Sequence, residues 1–211
     1  MQAANETITY RDEKISGSLR MSFEEFLDWY DEDTWAEWVN GEVIVLSPAS
    51  GTHQLILGFL LYIIGTFVRR RDVGSVLFAP FLMRMTSVSS VRAPDIIFTS
   101  KARLDRMTEY YLDGPADLVI EIVCPETRGR DRGNKYYEYE QAGVREYWLI
   151  DPLRRRAEFH SLDDNGIYRS IPVGEDGIYR SVVLDGFLIR VDSLWEDPRP
   201  DPIEVLREMN V

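Results

Sequence analysis

The sequence predicts an α/β (α+β) fold, with helices and short strands interspersed along the chain and a strand-rich β-meander extension at the C-terminus. Three observations predict it. The apolar run L-I-L-G-F-L-L-Y-I-I-G-T-F-V (55–68) has the length of a buried helix and falls short of the ~20 residues that cross a bilayer. Segments near 92–98, 117–123 and 145–150 are rich in β-branched and aromatic residues and bounded by Gly, Pro, Ser or polar clusters, as strands are. Beyond Pro152 come brief alternating runs separated by D-D-N-G and G-E-D-G, which are turn material. With 45% hydrophobic residues in 211, there is enough apolar surface for a sizeable core. No stretch reads as a linker, so the expectation is a polar lead-in over 1–20 and one domain over 21–211. That domain divides into a core (35–151), a β-rich extension (152–200) and a terminal helix (201–211).

Each element has a local cause. In S-F-E-E-F-L-D-W-Y (22–30), Ser22 stands three residues before Glu25 as in a capping box, and Phe23, Phe26, Leu27 and Tyr30 share one helical face. W-A-E-W-V-N-G-E-V-I-V-L-S (35–47) reads as a hairpin, because Asn40 and Gly41 both tolerate positive φ. The apolar helix runs from about His53 to Arg70. S-V-L-F-A-P-F-L-M-R-M (75–85) reads as one strand in which Pro80 implies an edge or bulge position. D-R-G-N-K-Y-Y-E-Y-E-Q-A-G (131–143) reads as a short helix stopped by Gly143. In the extension, G-I-Y-R-S occurs twice, eleven residues apart, which suggests related meander strands and not a repeat architecture. Pro202 opens the terminal helix in its first turn.

Charge and cysteine content narrow the function. The formal net charge is −12, from 24 basic and 36 acidic residues. Duplex nucleic acid is bound largely through Lys and Arg contacts to phosphate, so tight non-specific DNA binding is not expected. A local basic stripe and bound cations can offset this. Of three clusters, Arg69–Arg71 reads as a favourable helix end and Arg154–Arg156 as a solvated face. Arg128, Arg130 and Arg132 follow directly on the strand near 117–123 and are the candidates for nucleic-acid contact. The single Cys124 excludes an intramolecular disulfide and fits a reducing cytoplasm. The first residues lack the hydrophobic region of a secretory signal, and no membrane partner is expected.

The residues that point to chemistry are two carboxylates. Asp95 opens P-D-I-I-F, and Glu121 lies twenty-six residues later within D-L-V-I-E-I-V. Delivered from neighbouring strands, they can converge on one hard cation such as Mg2+ or Mn2+, which prefers oxygen ligands. Glu121 sits in an otherwise apolar strand, where an ionised side chain is costly unless paired or metal-bound.

The order P-D-I-I-F, D-L-V-I-E-I-V-C-P-E-T, D-R-G-N-K-Y-Y-E-Y-E-Q-A-G-V-R-E-Y-W-L-I-D-P resembles the Uma-type restriction endonuclease family, in the PD-(D/E)XK nuclease superfamily. Upstream, A-E-W-V-N-G-E-V-I-V-L-S-P-A-S-G-T-H (36–53) resembles the opening hairpin of that family and the His after it. The match spans roughly 21 to 151. The resemblance implies a restriction-endonuclease-like mixed β-sheet core flanked by helices, in α-β-β-β-α-β order. It implies Asp95 and Glu121 as metal ligands, with the Ile122 carbonyl as a further oxygen. It also implies a Mg2+- or Mn2+-dependent endonuclease acting on DNA, as a homodimer or higher homo-oligomer. The superfamily Lys, two residues after the Glu, is here Val123, and Lys135 is the natural substitute. A plain i, i+4 pair with Asp131 is its other reading. Glu37 and His53 match the family's hairpin Glu and its His and join the catalytic candidates. Tyr139 matches a family Tyr and is expected to pack, Glu42 to face solvent, and His160 to lie on a surface strand. The competing reading is a nuclease scaffold without catalysis, acting as an interaction module; the charge and Val123 favour it.

Overall fold

The structure is a computed structural model and describes residues 19–31, 34–124 and 133–211. The expected lead-in up to residue 18, Asp131 and the candidate contacts Arg128, Arg130 and Arg132 lie outside the described residues. Helix α1 (Phe23–Trp29) carries the capping box, with the side chains of Ser22 and Glu25 each accepting the other's backbone N–H. Strands β1 (Ala36–Val39) and β2 (Glu42–Val45) form the hairpin, and Asn40 (φ 50°) and Gly41 (φ 85°) supply the two left-handed turn residues. Glu42 is exposed, as its turn position implies. Helix α2 (Gly51–Arg71) starts on Ser50, whose hydroxyl accepts the His53 N–H, and ends in three arginines that suit its negative pole.

Two sheets follow from how the chain breaks at its prolines. The expected strand 75–85 is two strands, β3 (Gly74–Phe78) and β4 (Leu82–Met85), with Pro80 in the turn between them. The expected strand 92–98 is likewise β5 (Ser90–Arg92) and β6 (Ile96–Ser100). Proline has no N–H to donate to a ladder, so a strand cannot run through it in mid-sheet. At each break the chain crosses between sheets. With β7 (Tyr111–Asp113), one sheet has the order β2-β1-β5-β4-β7. Strands β8 (Leu118–Ile122), β9 (Glu146–Asp151), β10 (Arg156–Leu162) and β11 (Tyr168–Ser170) complete the other, in the order β11-β10-β9-β8-β6-β3. It is a mixed sheet: β8 and β9 are parallel, joined by a crossover through helix α3 (Asn134–Ala142), and its other pairs are antiparallel. Gly143 (φ 90°) stops α3.

Period-two alternation gives the six-stranded sheet two apolar faces. Ile96, Phe98, Leu118, Ile120 and Ile122 pack with the Ile56, Leu60, Ile63 and Phe67 side of α2. Ile97, Val119 and Val123 pack with Tyr139 of α3. Among the described residues α2 is the helix long and apolar enough to span a membrane, by length and composition, and half of that stretch is buried inside the protein. Its burial is that of a core helix.

The C-terminal extension does not form one meander. Strands β10 and β11 extend the six-stranded sheet, while β12 (Ile178–Arg180) and β13 (Leu188–Arg190) form a separate two-stranded sheet. Tyr168 and Tyr179, from the two G-I-Y-R-S copies, are both buried but in different apolar clusters. Glu146 ties the extension down. Its fully buried carboxylate accepts bonds from Trp148 Nε1, the Tyr179 and Ser181 hydroxyls, and the N–H groups of Val182 and Val183. His160, expected on a surface strand, is half-buried among Tyr136, Tyr147 and Tyr168, and burial lowers its pKa. Helix α4 (Pro202–Glu208) closes the chain on the Asp201 cap.

Candidate functional site

The break at Pro94 creates the site. In the β6–β8 ladder Ile96 pairs with Ile120 and Ile97 with Val119. Continuing that antiparallel register by one residue sets Asp95 opposite Glu121. Asp95 falls just outside the regular strand, and its side chain turns back onto the β8 backbone: Oδ2 accepts the Ile122 N–H at 2.6 Å. Oδ1 lies 3.1 Å from His53 Nε2, in the first turn of α2. His53 is 5% exposed, and its Nδ1 is buried with no hydrogen-bond partner among the described residues.

Glu121 is met from the other face by α3. Its Oε1 accepts from Lys135 Nζ at 2.9 Å and from the Tyr139 hydroxyl at 2.6 Å. Residues 135 and 139 stand one helical turn apart and therefore reach the same point. Lys135 Nζ is also 3.1 Å from Glu37 Oε1, on β1 of the other sheet. Glu37 in turn is held by Arg92 at 2.7 Å and by the Ala93 N–H at 3.3 Å. Arg92 grips Glu138 with two nitrogens, at 2.6 and 2.8 Å, and Ser90 adds a third bond to that carboxylate. A side chain as costly to bury as Arg92, 1% exposed, is tolerated because its fork is held by two carboxylates.

The electrostatics follow from this pairing. Burial pushes the Glu37 carboxyl up, but the charges of Lys135 and Arg92 outweigh it and hold the group below its ordinary value. Burial, then the Glu121 and Glu37 charges, push the Tyr139 phenol well up, so it stays a proton donor. Burial pulls the Arg92 guanidinium down, but Glu37 and Glu138 outweigh it and raise the group. Among the described residues, Glu121, Glu37 and Glu138 meet the cations Lys135 and Arg92, while Asp95 meets His53 and the Ile122 N–H.

These groups line one end of a cleft of about 320 Å³. The acidic end is Asp95, Glu121, Ile122, Lys135 and His53; the remaining wall is mostly apolar, with Trp35, Leu57, Leu61 and Phe78, and includes the polar Ser47 and Gln54. Cys124, half-buried, also lies on this wall.

The structure therefore brings together Asp95, Glu121, Lys135, Glu37 and His53, with Ile122 beside them. Tyr139, expected only to pack, bonds Glu121. Arg92 and Glu138 were not anticipated from the sequence. An arginine inside the strand-like S-V-R-A-P-D was the available signal, since a charge there must find a partner. Glu138 gave none, being one of two acids in an exposed-looking helix.

The likeness to known proteins extends over most of the chain. A profile of the family described as "Putative restriction endonuclease" (Uma2) matches residues 23–192. The "Uncharacterized protein slr1290" of Synechocystis sp. is 23% identical over 151 residues, which is 70% of this chain and 77% of that protein. A crystal structure of a "putative nuclease belonging to DUF820" from Anabaena variabilis superposes with a TM-score of 0.65 at 15% identity. It covers 90% of this chain and 99% of that one, a likeness of fold. The profile spans most of the molecule, including every residue of the site built above, and the chain belongs to the Uma2 family of restriction-endonuclease type.

Proposed function

We propose that the protein is a divalent-metal-dependent endonuclease hydrolysing phosphodiester bonds in DNA. Asp95 and Glu121 are the metal ligands and Lys135 the cation that meets the attacking water or the phosphate. The family and its fold support a nuclease in general. The observation that carries the finer reading is the contact of Lys135 Nζ with Glu121 at 2.9 Å. It puts an ammonium beside the acid pair although Val123 occupies the superfamily's lysine position.

The donor set fits a hard cation. Two carboxylates stand opposite each other and a main-chain carbonyl is adjacent at Ile122, a set of oxygen donors. Among the described residues no group of three or more His, Cys, Asp or Glu is arranged to hold a metal. That suits Mg2+ or Mn2+, which keep several waters and take one or two protein carboxylates. When bound, such an ion polarises the phosphate and lowers the pKa of a coordinated water.

The chain's own residues do the rest. The Ile122 N–H and His53 fix the Asp95 carboxylate. Tyr139 fixes Glu121. Glu37, itself locked by Arg92, holds the Lys135 ammonium so that its charge faces the cleft, where it stabilises negative charge developing on the phosphate. Arg128, Arg130 and Arg132 supply the phosphate contacts that an acidic protein otherwise lacks. Two copies in a homodimer would cut both strands.

A catalytically silent binding scaffold is the second reading, favoured by the net charge of −12. Plasmid nicking separates the two: metal-dependent nicking that disappears in Asp95→Asn supports the enzyme, and its absence with any divalent metal supports the scaffold.

A further inference from the structure

The apolar wall of the cleft has no part in metal or water chemistry. It runs on from the acid pair, and among the described residues lining the cleft Lys135 is the one fixed cation. Phe78, at the end of the edge strand β3, is 51% exposed and offers an open aromatic face at the rim. Trp35 stands on the same wall, and its indole Nε1–H is buried with no hydrogen-bond partner among the described residues. His53 Nδ1 shares that condition. A buried polar atom without a partner is costly, so two such atoms on one cleft mark places where a ligand's polar atoms belong.

We infer that this wall is a pocket for one unpaired nucleobase, so that the protein takes its scissile strand single-stranded or locally unpaired. This deepens the nuclease reading and rests on it. A ligand held by a flat aromatic face, aliphatic walls and a few polar atoms is what a nucleobase requires. A volume of about 320 Å³ is at the small end of ligand sites and suits one nucleotide. The charge points the same way. A duplex offers mainly phosphate, which a protein of net charge −12 meets poorly, and its bases are already stacked and paired. An unpaired base gains stacking and burial that do not depend on charge.

The test is fluorescence anisotropy of one labelled oligonucleotide, single-stranded and as its duplex, with the full chain in Ca2+ so that cleavage does not intervene. The single strand should bind at least about tenfold more tightly than the duplex, the scale of one stacked base. Phe78→Ala should weaken single-strand binding by about tenfold, the scale of one lost stacking face. Trp35→Phe, which keeps an aromatic ring and deletes the donor, should weaken it by about fivefold, the scale of one hydrogen bond. Duplex bound as tightly as single strand, no binding of either, or binding unchanged in both variants overturns the pocket. None of these outcomes bears on whether metal-dependent nicking occurs, which decides the nuclease reading separately.

Discussion

Lys135 and Glu121 stand fourteen residues apart in the chain and 2.9 Å apart in space, joined by the crossover that makes β8 and β9 parallel. The same ammonium reaches Glu37 at 3.1 Å, so one side chain ties a helix to both sheets. Replacing Lys135 with Met takes a buried charge partner from both Glu121 and Glu37, with an expected loss of about 3 kcal/mol in urea unfolding. Cleavage should fall by about a hundredfold or more, as when one transition-state donor is removed. Retained cleavage in a folded Lys135→Met protein would rule out the catalytic role of this lysine.

Arg92 is the more severe deletion. Arg92→Lys keeps the charge but cannot reproduce the two-nitrogen grip on Glu138 together with the bond to Glu37. Denaturant midpoints should show a loss of about 3 to 5 kcal/mol, the scale for breaking a buried ion pair. A loss below about 1 kcal/mol, typical of a surface pair, would mean that these bonds do not hold α3 to the β1–β5 sheet.

Tyr139→Phe removes one hydroxyl from Glu121 and nothing else from the core. A bond to a charged acceptor is worth about 2 kcal/mol, and that is the expected destabilisation. Because Glu121 then loses a donor that orients it, the Mn2+ concentration needed for half-maximal nicking should also rise. Unchanged metal dependence would confine Tyr139 to packing.

Glu37 links the network to pH. Its folded pKa lies below the ordinary 4.5, so its contribution to stability is present in full above the unfolded value and is lost as pH falls from about 5 through the depressed folded value. Urea midpoints of the wild type should therefore drop over that acid window. In Glu37→Gln the midpoint should be lower at neutral pH and should drop less with acid. Parallel curves for the two proteins would show that Glu37 carries no such linkage.

Glu146 tests how the extension belongs to the core. Its carboxylate accepts from the hydroxyls of Tyr179 and Ser181 and from the N–H groups of Val182 and Val183, all of them in the extension. Glu146→Ala takes away the acceptor that these donors share, at an expected cost of about 4 kcal/mol. Unfolding should remain one transition, coincident by far-UV and near-UV signals. Two separated transitions would make residues 152–200 an independent unit.

What the sequence could and could not reveal follows from the range of the signals. Capping at Ser22, the Asn40-Gly41 turn and the Gly143 stop are local, and each forms where its residues lie. Asp95 and Glu121 were legible because a carboxylate at a strand break and another inside an apolar strand are local anomalies that call for a partner. The split of 75–85 and 92–98 between two sheets was not legible in full. A proline shows that a strand is interrupted, but not that the next residues join a different sheet. Arg92, Glu138 and the cleft's Trp35 and Phe78 depend on pairings across 46 to 56 residues or on the fold as a whole, which no local pattern encodes.

Whether Asp95 serves a working metal-dependent nuclease is decided by nicking of supercoiled plasmid at low salt, with Mg2+, Mn2+ or EDTA, by the wild type and by Asp95→Asn. That substitution keeps the size of the side chain and an acceptor for the Ile122 N–H while removing the negative charge. The expected result is nicking by the wild type with either metal, none in EDTA, and none by the folded variant. Nicking that persists in Asp95→Asn, or a folded wild type inert with both metals, would contradict the assignment.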